Sequence, residues 1–386
     1  MQPTAYLDHA ASAPVRPEVR DAMLPLLEGT YGNPSSAHAP GRAARTALER
    51  ARREVAAALD ADPAQVFFTS GGTEADNLAV IGAARAAGRA AGAAVSTVEH
   101  KAVLASAHVV AGDGGRELLL PVDGSGALDL SALDAALAAR PAVVSVMWVN
   151  NETGIVLDIP RVAARCRGAD VPLHSDAVQA VRYLPMSFRT VPVDLLTISG
   201  HKLGAPKGIG ALVVRDRHRL APQVHGGAQQ HALRPGTENV AGAVALGVAM
   251  RLAVAEREAE GRRVMTLRDE LEQRLRAAVP ELRIVGADAP RAPHVSAVVV
   301  PGTETSTLLM HLDRLGVAAS GGSACTTGSP EPSHVLQAMG LPRELALGFV
   351  RFSLGRESTA DDVARAATAF PQAVERARRA EGALHE

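Results

Sequence analysis

The chain has 386 residues and a formal net charge of −1, with Lys and Arg spread along it, which argues against nucleic acid or an anionic membrane as the main partner. Hydrophobic residues make up 47% and aromatics only 3%, so a large core is within reach but must rest on Ala, Val and Leu. Two cysteines, Cys166 and Cys325, exclude a disulfide framework and fit a reducing, cytoplasmic setting; Asp8 and His9 break up any secretory pattern, and no uncharged apolar run reaches the ~18 residues of a membrane span.

Residues 1–17 read as irregular, and the proline-punctuated stretch 31–38 as a loop. Residues 41–59, rich in Arg and Ala, predict an amphipathic helix, so the first 60 residues read as an arm outside the main sheet. A short buried strand over 65–69 then runs into Ser70-Gly71-Gly72-Thr73-Glu74 and a helix to about residue 88. Strand, glycine turn and helix start make an anion cradle, because free N–H groups and the helix dipole face a ligand there. An ordinary capped turn has the same pattern. No Gly-Lys-Ser/Thr follows at P-loop spacing.

The strand 93–97 leads into Val98-Glu99-His100-Lys101. His100 sits at a strand-to-helix junction, where it could stack on a flat ring and shuttle protons; a structural histidine is the plainer alternative. Residues 117–121 predict an edge strand. Residues 141–149 have the continuous apolar character of a fully buried parallel strand. They end in Asn150-Asn151-Glu152-Thr153-Gly154, whose amides could bind a carboxylate or simply shape a turn. A helix over 160–167 holds Cys166, which reads as a small buried hydrophobe.

Two further segments carry more chemistry. Val171-Pro172-Leu173-His174-Ser175-Asp176 is apolar and ends in an acid, with Gln179 three residues on and able to face the same ligand from one helical turn. Leu195-Leu196-Thr197-Ile198-Ser199-Gly200-His201-Lys202 is a strand that ends in a lysine. Open α/β sheets bind ligands at such carboxyl ends, and a lysine there can form a Schiff base with an aldehyde. A solvated lysine is the ordinary alternative. Acid and lysine on two strand ends together point to pyridoxal phosphate, with the acid on its ring nitrogen; the glycine turn at 71–72 then suits its phosphate. A strand over 209–215 completes an alternation across 65–215 that predicts a mostly parallel sheet with helices on both faces.

Residues 224–239 read as a long polar loop, and about 240–279 as a long helix able to bridge two domains. Strands at 282–285 and 295–300 and helices at 304–315 and 359–379 suggest a smaller α+β domain. Within it, Ser320-Gly321-Gly322-Ser323-Ala324-Cys325-Thr326 has nothing to anchor a core and reads as a mobile loop with a nucleophilic thiol. Val350-Arg351-Phe352-Ser353-Leu354 reads as a strand whose arginine suits a bidentate clamp on a carboxylate, or else a surface ion pair.

On the blocks at 69–77, 98–101, 149–154, 174–179, 199–210, 234–239, 320–326 and 350–356, nearly the whole chain resembles the cysteine desulfurases of the NifS/IscS type, in the class V aminotransferase group of fold type I pyridoxal phosphate enzymes. The resemblance implies an N-terminal segment, 1–16, packing with the small domain, a large cofactor-binding domain over 17–260, and a small C-terminal domain over 261–386 that carries the Cys325 loop. It implies that Lys202 holds the cofactor, Asp176 pairs with the ring nitrogen, Gln179 contacts the phenolic oxygen and His100 stacks on the ring and acts in catalysis. Gly72, Thr73, Ser199 and His201 would hold the phosphate, with Thr237 reaching in from the other subunit of a homodimer. Asn151 and Arg351 would bind the substrate carboxylate, Asn151 touching the cofactor as well. The implied reaction removes sulfur from L-cysteine, gives L-alanine, and leaves a persulfide on Cys325 for an acceptor protein. An iron–sulfur scaffold, on which Cys325 could transiently ligate a cluster, and a thiolation enzyme are the acceptors it suggests. The loop resembles the family's longer form, with Ser-Gly-Gly-Ser-Ala-Cys in place of the common Ser-Ser-Gly-Ser-Ala-Cys. A selenocysteine lyase or another C–S lyase of this fold is the alternative; direct elimination needs no protein thiol, which Cys325 would supply. No resident metal site is expected.

Overall fold

The computed structural model describes residues 4–88, 91–322 and 331–385, with side chains as far as Arg379. The segment expected to be irregular contains a two-residue strand, β1 (Ala5–Tyr6), that pairs parallel with Val317–Ala318 near the other end of the chain. Two residues of strand carry no period to read; their partner alone makes them a strand.

Seven strands build the central sheet: β2 (Val66–Thr69), β3 (Ala93–Ser96), β4 (Glu117–Leu120), β5 (Val143–Ser145), β6 (Leu173–Asp176), β7 (Leu195–Ser199) and β8 (Gly210–Val214). They lie in the order β2-β8-β7-β6-β5-β3-β4, and every neighbouring pair is parallel except the two that involve β8. The mostly parallel sheet expected from the alternating pattern is therefore present. All but β4 are buried along their whole length, as continuous apolar runs require when helices cover both faces. One face packs on the helices Gly72–Ala87 and Lys101–Gly112 through Leu78, Ala79, Val103 and Val110. The other packs on Leu48, Val55, Leu246 and Met250. Because β4 and β5 lie on opposite sides of β3, the chain reverses its direction across the sheet there, which is where ligands collect in this architecture.

The strand expected over 141–149 is shorter, since β5 stops at Ser145. Val146 and Trp148 still donate to His174 O and Asp176 O at 3.1 and 2.9 Å, but the Met147 N–H turns to the Glu99 carboxyl at 2.6 Å. A side chain thus takes the amide that would have continued the ladder to β3.

The 39-residue helix Val240–Ala278 spans two cores: Ala243, Leu246 and Met250 pack under the sheet, and Val264, Leu271 and Leu275 join a second cluster. That second cluster surrounds β9 (Arg283–Ile284), β10 (Val295–Val299), β11 (Val317–Ala318) and β12 (Phe349–Ser353). β12, β10 and β9 form an antiparallel sheet, while β11 takes β1. The helices Thr305–Arg314 and Ala360–His385 cover it. Among the described residues no helix is long and apolar enough to cross a membrane.

Candidate active site

A cavity of about 620 Å³ opens at the carboxyl ends of β2, β3, β5, β6 and β7, a volume suited to a small organic ligand. It gathers Gly72, Thr73, His100, Asn151, Asp176, Gln179, Ser199, His201, Lys202 and Arg351, ten of the residues singled out in the sequence. Two others are not among them. Thr237 is exposed and does not line this cavity, and Cys325 lies outside the described residues.

Lys202 ends a single 3-10 turn, Gly200–Lys202, directly after β7. Its Nζ donates to the carbonyls of Ala10 (2.6 Å) and Ala11 (2.7 Å) on the N-terminal segment. Burial, and next the Arg351 guanidinium, lower its pKa to about 8. Asp176 closes β6, the neighbour of β7. Its Oδ1 accepts from the Val178 N–H at 2.8 Å, and burial raises its pKa, with His100 and then Lys202 among the opposing influences.

The helix Gly72–Ala87 starts behind Gly71 with no side-chain cap, so its first N–H groups are left for a ligand. A Cβ on Gly72 would meet Val178 Cγ2 at 3.3 Å and Ser199 Cβ at 3.4 Å, so glycine keeps this wall of the cavity clear. His201 Nδ1 lies 3.2 Å from Ser12 Oγ, and burial followed by Lys202 and Lys207 lowers its pKa to about 4, leaving it neutral. His100 caps the helix Lys101–Gly112: its Nδ1 accepts from Ala102 N–H at 3.2 Å, so the neutral ring carries its proton on Nε2. Burial lowers its pKa as well.

Arg351 lies on β12 and is 2% exposed, so it is a buried group and not a surface ion pair. Nη1 donates to Asn151 O at 2.8 Å, and Nη2 to Asp8 Oδ1 at 2.7 Å. Its backbone exchanges two hydrogen bonds with Ser320, at 2.7 and 3.1 Å, which pins the base of the segment expected to be wholly mobile. Asn150 builds the preceding turn: its Oδ1 accepts from Glu152 N, Thr153 N and Thr153 Oγ1, while its Nδ2 donates to Val98 O.

Several site residues had no sequence signal of their own. Asp8 acquires its role from a partner 343 positions away. Asp76, on the cavity wall, is 1% exposed; burial raises its pKa, and the Asp176 carboxylate adds to this. Glu99 is fully buried, accepts from Ser96 Oγ and Met147 N at 2.6 Å each, and has its pKa raised to about 8, chiefly by burial. It stands in a block that the sequence did pick out, but its burial could not be read there. Cys166 is buried and its thiol pushed up to about 12, in keeping with an inert structural thiol.

Residues 5–366 match the family model of the class V aminotransferases. Among curated relatives, a cysteine desulfurase of Trichormus azollae is 43% identical over 373 residues, covering 97% of this chain and 93% of its own. The cysteine desulfurase NifS of Azotobacter vinelandii is 40% identical over 370 residues, covering 96% and 92%. Among solved structures, a NifS-like protein from Rickettsia africae is similar with a TM-score of 0.88 at 28% identity, over 96% of this chain and 99% of its own.

Proposed function

The chain belongs to the class V aminotransferase family and is a cysteine desulfurase of the NifS/IscS type, and on that premise we propose how its own residues divide the work. Enzymes of this family use pyridoxal phosphate, which when bound supplies an electron sink for charge developing at the substrate's Cα. The residues present fit that group: an uncapped helix start for its phosphate, a buried carboxyl for its ring nitrogen and an amine of lowered pKa for its aldehyde share one cavity. Lys202 and Asp176 on adjacent strand ends are the observation that carries the reading.

Backbone N–H groups of Gly72 and Thr73, with Ser199 and His201, would hold the phosphate, and Asp176 would pair with the ring nitrogen. His100 would stack on the ring, its N–H at Nε2. Gln179 would donate to the phenolic oxygen. Arg351 and Asn151 bind the carboxylate of L-cysteine, Asn151 also touching the cofactor. Lys202 Nζ takes the Cα proton, which a pKa of about 8 allows near neutral pH. Cys325, as a thiolate, attacks the substrate Sγ: the S–S bond of a persulfide forms, the Cβ–Sγ bond breaks, and its electron pair stays with the carbon skeleton, which is protonated and leaves as L-alanine. The persulfide passes to an acceptor protein, an iron–sulfur scaffold or a thiolation enzyme; on a scaffold Cys325 transiently ligates the nascent cluster.

Thr237 is exposed and away from its own cavity, which supports a homodimer in which it completes the phosphate site of the other subunit. The apolar cluster that joins Ala5 and Leu7 to residues from 264 onward, and the pairing of β1 with β11, support a small domain over 261–386 with residues 1–16 packed on it, and a large domain over 17–260. The cytoplasm is the setting proposed, because cysteines stay reduced there.

The test is the absorbance of the purified protein with pyridoxal phosphate, before and after L-cysteine, with alanine and reducible sulfide quantified. Lys202→Ala is expected to lose the imine band, and Cys325→Ala to keep it while sulfur transfer is lost. Full production of alanine and sulfide by Cys325→Ala in the presence of a thiol reductant would remove Cys325 from the reaction.

A further inference from the structure

We propose that His294 is a positioning residue for the reaction: its Nε2–H fixes the Gln179 amide so that nitrogen, not oxygen, is turned to the cavity. The inference deepens the reading above, in which Gln179 donates to the phenolic oxygen of pyridoxal phosphate, and it rests on that reading.

His294 stands one residue ahead of β10, in the antiparallel sheet and not at a carboxyl end of the parallel one. Its ring is 2% exposed and stacks on Tyr183, with centroids 4.3 Å apart and planes 19° from parallel. His294 Nε2 lies 3.1 Å from Gln179 Oε1, and Gln179 Nε2 lies 2.9 Å from the Ala10 carbonyl oxygen.

These distances settle two proton positions by elimination. A carbonyl oxygen only accepts, so the end of Gln179 at Ala10 is its nitrogen. The end at His294 is then the amide oxygen, which also only accepts, so His294 donates and its proton is on Nε2. Burial keeps the ring neutral, and the nearby Arg182, Arg351, His9 and Arg268 act in the same direction. A neutral ring protonated at Nε2 has a lone pair on Nδ1, and His294 Nδ1 is buried without a partner.

That bare Nδ1 is informative. An unsatisfied buried acceptor destabilises a fold, and a phenylalanine would fill the stack on Tyr183 without it. What a phenylalanine lacks is the donor to Gln179. Without that donor only the Ala10 carbonyl would hold the Gln179 amide, which lines the cavity, in this orientation. The Ala10 carbonyl ties the arrangement to the reacting group, because Lys202 Nζ donates to the same oxygen at 2.6 Å. His294, Gln179, Ala10 and Lys202 are thus joined through three consecutive hydrogen bonds.

The measurement is the pH titration of the imine absorbance of the holoenzyme, for wild type, His294→Phe and His294→Gln. A donor on the phenolic oxygen stabilises its negative charge and so favours loss of the imine proton. His294→Phe is expected to raise the midpoint by about one pH unit, the size of one hydrogen bond to a charged oxygen. His294→Gln, whose amide can donate from a similar place, is expected to titrate near wild type. Arg351, Asp8 and Asp176, which face Lys202, and Arg182, His9 and Arg268, which face His294, are unchanged in both variants. A wild-type midpoint for His294→Phe, or equal displacement in both variants, overturns the inference. So does a ¹⁵N spectrum of the cofactor-free protein that puts the His294 proton on Nδ1, a result that needs no cofactor and no stable Phe variant. A wild-type protein that forms no imine band would instead overturn the cofactor reading, and the ¹⁵N spectrum would still decide the hydrogen bond.

Discussion

Arg351 Nη2 donates to Asp8 Oδ1 at 2.7 Å, joining β12 to the N-terminal segment that also supplies the carbonyls of Ala10 and Ala11 to Lys202. Arg351 is 2% exposed and its Nε is already without a partner, so Asp8 is the counter-ion of a buried guanidinium. Removing one member of such a pair leaves a buried charge uncompensated. Asp8→Ala is expected to destabilise the protein by about 3 kcal/mol, at the low end for buried pairs because the Asp8 side chain is 21% exposed. Asp8→Asn keeps an acceptor and is expected to lose about 1 kcal/mol. Urea midpoints measure both; an unchanged midpoint for Asp8→Ala would mean that Arg351 does not depend on this carboxylate.

Lys202 gives a pH dependence with a definite sign. An aldehyde is attacked by the unprotonated amine, and a pKa of about 8 leaves about a tenth of Lys202 in that form at pH 7, against fewer than about one in a thousand for an ordinary lysine. Uptake of pyridoxal phosphate by the cofactor-free protein is therefore expected to speed up with pH and reach half its maximum near pH 8. Arg351 is the second largest influence lowering this pKa, so Arg351→Met is expected to move the half-maximum upward. A wild-type half-maximum near 10 would contradict the arrangement, since it would mean an amine in contact with water.

The parts of this site that could be read in the sequence are those carried by a run of residues. β7 is a fully buried strand with a lysine just beyond its end, and a continuous apolar run with a polar terminus says so. The helix bridging both cores likewise announces itself by its length. Residues whose meaning comes from one distant contact could not be read. Asp8 is an acid in a segment read only as irregular until Arg351 is placed beside it, and His294 is a histidine ahead of a strand until Gln179 turns its oxygen to it. Antiparallel β8 is indistinguishable by composition from its parallel neighbours, because burial on both faces removes the alternation. Cys325 is singled out by its small polar flanks alone, and it lies outside the described residues.

The loop before Arg234 offers a backbone change away from the cavity. Gln230, His231 and Ala232 have φ of 47°, 54° and 62°, three left-handed residues in succession with no glycine among them. Gln230 explains why the conformation is held: its Oε1 accepts from Arg52 Nη1 and Phe68 N at 3.0 Å each. Ala232 has no side-chain function that would be lost. Ala232→Gly is expected to stabilise the protein by about 1 kcal/mol, the relief of left-handed strain less the extra freedom of glycine when unfolded. A lower thermal midpoint for this variant would show that the strain is not there.

Glu99 provides the second pH dependence. Its carboxyl is buried with a pKa raised to about 8 from an ordinary value of 4.5, its Oε1 accepts two hydrogen bonds, and its Oε2 has no partner. Below pH 4.5 the carboxyl is protonated whether the chain is folded or not, and it makes its full contribution. Between pH 4.5 and 8 the unfolded chain has released this proton while the folded one retains it, so the contribution falls as pH rises. Glu99→Gln cannot titrate and is free of this slope. The stability of Glu99→Gln relative to wild type is therefore expected to climb between pH 5 and 8, by on the order of 3 kcal/mol, and to be level below pH 4.5. The comparison cancels every other titrating group, which urea unfolding at three pH values across the window can exploit. A difference that stays constant over that window would mean that Glu99 is ionised in the fold, and that some counter-charge reaches an oxygen that now has no partner.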